Sequence, residues 1–235
     1  MADISISLDR ESGIATAQLC RPPHNFLDAF LLRDFCDGIE EMDADPDCRC
    51  ILLSSQGRNF SAGRDFGGER REGDTSEAVY AQAVRLMAVG VPMIAIVQGA
   101  AVGAGMGLAM VADFRLCSER AYFSANFVAH GLHHGFGLTT TLPAAIGRSA
   151  ATRMLLTGRK YGAEEACKIG LVSSVVEEAH LVDRATELAQ SVASNPRAAV
   201  RSIRQTMREG LLEAFRSSVE HEGFRQAALR EGAKT

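Results

Sequence analysis

Met93-Ile94-Ala95-Ile96-Val97-Gln98-Gly99-Ala100-Ala101-Val102-Gly103-Ala104-Gly105-Met106-Gly107-Leu108-Ala109-Met110-Val111 runs from an unbroken apolar segment, through a turn of small residues, into a helix-length apolar stretch. Its first five residues suit a strand covered on both faces, as in a parallel sheet, because no polar position marks a solvent side. No charge occurs over residues 86–112, which is long enough to cross a bilayer. Pro92, Gln98 and five glycines divide that run into strand-length and helix-length pieces, so it reads as the core of an α/β domain and not as a membrane span.

Outward from this stretch the same logic continues. Cys50-Ile51-Leu52-Leu53 is a second short buried strand. Ile4, Ile6 and Leu8 alternate with polar residues, Ser12-Gly13 turns the chain, and Ile14, Ala15, Ala17 and Leu19 complete a hairpin. Phe30, Leu31, Phe35, Ile39 and Met42 recur at helical spacing until Asp45-Pro46. A helix over 76–89 leads into the quoted strand. Residues 115–117 and 121–123 read as strands, and 139–146, 150–156, 163–169, 180–193 and 197–229 as helices. Alternating strands and helices with a helical end give the class α/β, and no repeat or composition break marks a second domain.

Composition narrows the partners. The chain has 235 residues, 46% hydrophobic, with 25 basic against 29 acidic side chains and a formal charge of −4. Without a basic block, neither nucleic acid nor a membrane surface is expected as a partner. Lysines occur only at Lys160, Lys168 and Lys234, so a phosphate-bearing ligand would rely on arginine or backbone N–H groups. The six cysteines form no C-x-x-C pair and lie in or beside apolar runs, which favours reduced, buried thiols. Reduced thiols point to a cytoplasmic location, and Met1-Ala2-Asp3-Ile4-Ser5 shows neither the basic n-region nor the long apolar core of a signal peptide.

Two places put backbone N–H groups at the mouth of a buried strand: Phe60-Ser61-Ala62-Gly63-Arg64-Asp65 and Gly99 through Gly107. Small residues allow close approach to the main chain, and the first turn of a helix favours negative charge. Packing glycines explain the same pattern equally well. The spacing fits neither a dinucleotide fingerprint nor a P-loop, and no G-x-S-x-G elbow is present.

Taken with Pro23-His24-Asn25-Phe26-Leu27-Asp28, Asp43-Ala44-Asp45-Pro46, Ala112-Asp113-Phe114-Arg115, Gly162-Ala163-Glu164-Glu165-Ala166 and Gly170-Leu171-Val172, these motifs resemble the crotonase (enoyl-CoA hydratase/isomerase) superfamily over nearly the whole chain. The resemblance implies a spiral of ββα units over residues 1–195. It implies also a helical segment over 196–235, part of the same domain, that assembles a homotrimer or hexamer. Leu211, Leu212, Phe215, Val219 and Phe224 are apolar positions for that contact. The substrate it implies is an acyl-CoA thioester, with coenzyme A part of the substrate and no separate cofactor or metal.

In the family two backbone N–H groups polarise the thioester carbonyl, and these positions match Arg64 and Ala104. Ala62, Gly63, Asp65, Gly103, Gly107 and Phe127 match positions around the substrate. The hydratases move protons with two glutamates, whose positions are occupied here by Gly107 and Phe127, neither of which transfers a proton. Histidine lies close by, at His130, His133 and His134; from the family's loop, His133 and His134 are the preferred catalytic candidates. The plainer alternative is that they bond loop carbonyls or cap the helix near Thr139. Asp113 reads as structural, while Arg64, Arg70 and Arg71 are solvated residues or an anion clamp. The expectation is therefore an acyl-CoA enzyme that stabilises a thioester enolate without the two glutamates. A histidine-dependent hydrolase, decarboxylase or C–C-cleaving enzyme, or a non-catalytic acyl-CoA-binding protein, remains the alternative.

Overall fold

The apolar runs become neighbouring parallel strands. A computed structural model describes residues 2–65, 67 and 71–232. The chain opens with β1 (Ile4–Asp9) and β2 (Ile14–Leu19), then α1 (Ala29–Ala44), β3 (Cys50–Ser55) and α2 (Ser76–Ala88). Next come β4 (Met93–Val97), β5 (Ala100–Val102), α3 (Ala104–Met110), β6 (Phe114–Ser118), β7 (Tyr122–Ser124) and a 3-10 turn over Asn126–His130. After α4 (Leu138–Thr157), β8 (Tyr161–Gly162), α5 (Ala163–Lys168) and β9 (Ser174–Val176), three helices finish the fold: α6 (Leu181–Ala193), α7 (Arg197–Met207) and α8 (Leu211–Gly232).

The larger sheet has the order β1-β2-β3-β4-β6-β9, antiparallel only at the hairpin. Leu52 pairs with Ile94, and Ile94 with Phe114. Alternation sends Ile14, Cys50, Leu52, Ile94, Ile96 and Leu116 to one face, where Leu181, Ala185, Ala189 and Ala193 of α6 cover them. Ile51, Leu53, Met93, Ala95 and Val97 point the other way, into the main core with Phe35 and Ile39 of α1. Burial on both faces is why these strands carry no polar alternation.

A smaller sheet, β5-β7-β8, stands apart. The sequence reading passes straight from turn to helix over 99–111 and does not anticipate β5, β8 or β9, which at two or three residues are too short to show a period. Helix α4 runs through both predicted helices with a break at Gly147 (φ 72°), and the predicted 197–229 helix divides at Gly210 (φ 72°).

That division redirects α8. Phe215 and Val219 are buried, and Leu211 and Leu212 half-buried, in the core of this chain, where α8 lies across α2 and α4. The stripe expected to face other subunits is thus turned inward, except for Phe224, which is 69% exposed. Asp113 ties α7 to the sheet: it accepts from Met93 N at 2.9 Å, Arg204 Nε at 2.9 Å and the Arg208 guanidinium at 2.8 Å. The cysteines are unpaired thiols, and burial pushes Cys36 and Cys50 up to about 12. Among the described residues no helix is long and apolar enough to cross a membrane.

Candidate active site

The two small-residue loops meet edge to edge. Ser61 and Ala101 form a parallel bridge in which Ser61 N donates to Ala100 O at 2.9 Å and Val102 N to Ser61 O at 3.0 Å. The fit leaves no room for a side chain on Gly63, which has φ 83°: a Cβ there would lie 2.6 Å from Val102 O and 3.2 Å from Ala104 N. Arg64 therefore follows a residue packed against the start of α3. Ala104 opens that helix, where the first N–H groups have no carbonyl one turn back to bind.

Between these loops is a cavity of about 270 Å³. Ala62, Arg64 and Asp65 line it from the first loop, and Gly103 and Ala104 from the second. Phe26, Phe127 and Leu132 supply apolar wall, while Asn126 and His130 face it from the 3-10 turn. Ser76 and Tyr80 of α2 and Gln226 and Arg230 of α8 complete the lining.

The structure thus gathers most of the expected site residues. Gly63 supports the wall from behind. Gly107, however, is not in the lining; it packs against Phe136, whose Cβ would stand 2.5 Å from a Cβ on Gly107.

Neither His133 nor His134 lines the cavity, and of the three neighbouring histidines only His130 does. His133 Nδ1 lies 2.7 Å from the His134 carbonyl oxygen, and the two rings stack at 4.1 Å. His134 Nε2 lies 2.8 Å from Thr139 Oγ1. These are the loop and helix-start contacts of the plainer alternative. Burial, helped by His133 and His221, holds the His134 pKa down to about 4, so its 3.9 Å approach to Glu222 is not an ion pair at neutral pH. Glu222, fully buried on α8, accepts from Gly137 N at 2.7 Å and Thr139 N at 2.9 Å, capping α4 in place of a side chain at the Gly137 cap position. By contrast His130 reaches the cavity with its Nε2 3.2 Å from Asn126 Nδ2, and with the amide donating, Nε2 accepts.

The arginines of the first loop divide. Arg64 donates to Asp74 Oδ2 at 2.8 Å, with both side chains nearly buried, and Arg71 lies over the Phe30 ring. Arg70 is outside the described residues. Asp65 accepts from Gly67 N at 2.9 Å, a bond that shapes its own loop. Sequence reasoning missed Ser76, Tyr80, Gln226 and Arg230. A signal was present: each pair is spaced four residues apart on a helix, so two helices each turn a polar pair toward one line of contact. Burial, together with the nearby Glu222, raises the Tyr80 pKa, so its hydroxyl keeps its proton.

A parallel sheet flanked by helices, with a pocket between two glycine-rich loops and a helical end, is the crotonase fold. The family model described as "Enoyl-CoA hydratase/isomerase" matches residues 9–228, and the chain belongs to that family. A 4-chlorobenzoyl coenzyme A dehalogenase of Arthrobacter is 32% identical over 232 residues, covering 94% of this chain and 84% of the relative. The carnitinyl-CoA dehydratase of Escherichia coli K12 is 32% identical over 209 residues, covering 87% and 80%. Among solved structures, an enoyl-CoA hydratase/isomerase of Pseudoalteromonas atlantica superposes with a TM-score of 0.88 at 27% identity, covering 97% of this chain and 91% of the other.

Proposed function

We propose that the protein processes an acyl-CoA thioester by stabilising its enolate between the backbone N–H groups of Arg64 and Ala104, with His130 as the proton-carrying group. The observation that carries this reading is that Arg64 and Ala104, on separate loops, line one cavity. Donors fixed by the fold and aimed at developing charge in a water-poor site need no reorganisation during the reaction. Both relatives described above bear names of enzymes acting on CoA thioesters. Phe127 and Gly107 stand where the hydratases carry their glutamates, and among the described lining residues Asp65 is the sole carboxylate. Paired-carboxylate hydration therefore has no counterpart here. His130 lines the same cavity, and in this reading its Nε2, released from the Asn126 amide 3.2 Å away, takes the α-proton.

The test is exchange of α-hydrogens of butyryl-CoA with deuterated solvent, followed by mass spectrometry, beside loss of crotonyl-CoA ultraviolet absorbance. Exchange by the wild type, weak hydration, and a roughly 10²–10⁴-fold loss of exchange in His130→Ala are expected, with His133→Ala within about tenfold of wild type. Rapid crotonyl-CoA hydration that survives His130→Ala would defeat the proposal. Loss on His133→Ala with His130→Ala unaffected would return the role to the loop histidine.

A further inference from the structure

Two guanidinium groups reach the cavity wall near the start of α2, and they are matched differently. Arg64 faces a carboxylate, Asp74, at 2.8 Å. Arg230, half-buried, donates to the neutral Ser76 Oγ at 3.0 Å, and among the described residues no Asp or Glu lies within ion-pair distance of it. A half-buried cation whose partner among the described residues is a hydroxyl is less fully compensated than an ion pair, and the apolar wall beside it strengthens its field.

The groups beside it are also built to donate. Ser76 and Tyr80 are buried, one turn apart on α2, and the Tyr80 hydroxyl stays protonated. Buried Gln226, one turn before Arg230 on α8, donates to the His133 carbonyl at 2.6 Å and lines the same cavity as Tyr80. The start of α2 adds the positive end of a 13-residue helix. An anion at Ser76 and Tyr80 enters through the cavity, since both are shut off from bulk water. The exposed Asp65 carboxylate lies toward the solvent side, an unfavourable neighbour for phosphates.

Resting on the reading of this cavity as a thioester site, we propose that its acyl end receives a short chain terminating in a carboxylate, so that the substrate class is the mono-CoA thioester of a dicarboxylic acid. The free carboxylate pairs with Arg230 while the hydroxyls of Ser76 and Tyr80 orient it; a guanidinium–carboxylate contact is among the strongest and most directional available. A cavity of about 270 Å³ suits a short acyl group.

Calorimetry with the intact protein tests this with ligands matched in length: succinyl-CoA against butyryl-CoA, and glutaryl-CoA against valeryl-CoA. The carboxylate member of each pair is expected to bind at least about tenfold tighter. Arg230→Met should erase that difference while leaving butyryl-CoA affinity within about threefold, and Arg230→Lys should retain part of it. Equal or weaker binding of the carboxylate members by the wild type overturns the proposal without any variant. So does a preference that survives Arg230→Met, or an equal loss across both pairs and free CoA, which would assign the guanidinium to the CoA phosphates. Failure of every thioester to bind would instead defeat the reading of the cavity itself, and this proposal with it.

Discussion

At Gly107 an added Cβ would stand 2.5 Å from the Cβ of Phe136 and 2.7 Å from its ring. Phe136 is fully buried and holds a backbone φ of 61°, so neither ring nor main chain yields easily. Replacing a helical glycine by alanine gains up to about 1 kcal/mol of helix propensity, whereas overpacking a rigid core typically costs about 1–3 kcal/mol. The overpacking wins, and Gly107→Ala should lower the urea midpoint. Gly107→Glu, even with Phe127→Glu, should not create a hydratase, because the carboxylate would have to displace Phe136. An unchanged midpoint for Gly107→Ala would show that Phe136 moves freely. Crotonyl-CoA assays of the double variant check the second statement.

The junction of α4 and α8 depends on groups that titrate. Glu222 of α8 caps α4 with His134 beside it, and burial, helped by His133 and His221, holds the His134 pKa down to about 4. The unfolded chain takes up the His134 proton near 6.5, the folded chain only near 4, so between these values the unfolded state binds more protons and stability falls as pH falls. The ceiling of this loss is roughly 3 kcal/mol. Glu222 acts in the opposite sense, since burial raises its pKa and the folded state gains as it is protonated. The difference between proteins isolates the histidine: from about pH 6.5 down to pH 4.5 the wild type should lose more denaturation free energy than His134→Gln. Parallel curves would mean that His134 titrates normally.

Across the molecule, exposed apolar side chains gather on α7 as well as at Phe224 of α8, the one position of the nominated stripe that stays outside. Ile203 and Met207 on α7 are 65% and 79% exposed and flank a groove with Val200 and Phe114. Apolar groups presented together in this way commonly mark a protein interface. We expect copies of this chain to cover that groove in a homotrimer or hexamer, and sedimentation at micromolar concentration to show it. Ile203→Asp with Met207→Asp should shift the distribution toward monomer. A wild type that stays monomeric would contradict the expectation.

The buried strands were legible because covering both faces of β3 and β4 demands uninterrupted apolar residues, a requirement visible in Cys50-Ile51-Leu52-Leu53 and Met93-Ile94-Ala95-Ile96-Val97. The two loops of small residues were legible for a related reason: where backbones approach as closely as Gly63 and Val102, only glycine fits. Choosing among histidines was beyond that logic. His130, His133 and His134 fall within five positions of one another, and a turn of a few degrees per residue decides which ring meets the cavity and which meets Glu222. The polar pairs Ser76–Tyr80 and Gln226–Arg230 were hidden likewise, because each belongs to its own helix in sequence and they converge only when α8 folds back across α2. Local periodicity determines which residues must be buried; which buried faces meet, and hence what the cavity contains, depends on long-range packing of the whole chain.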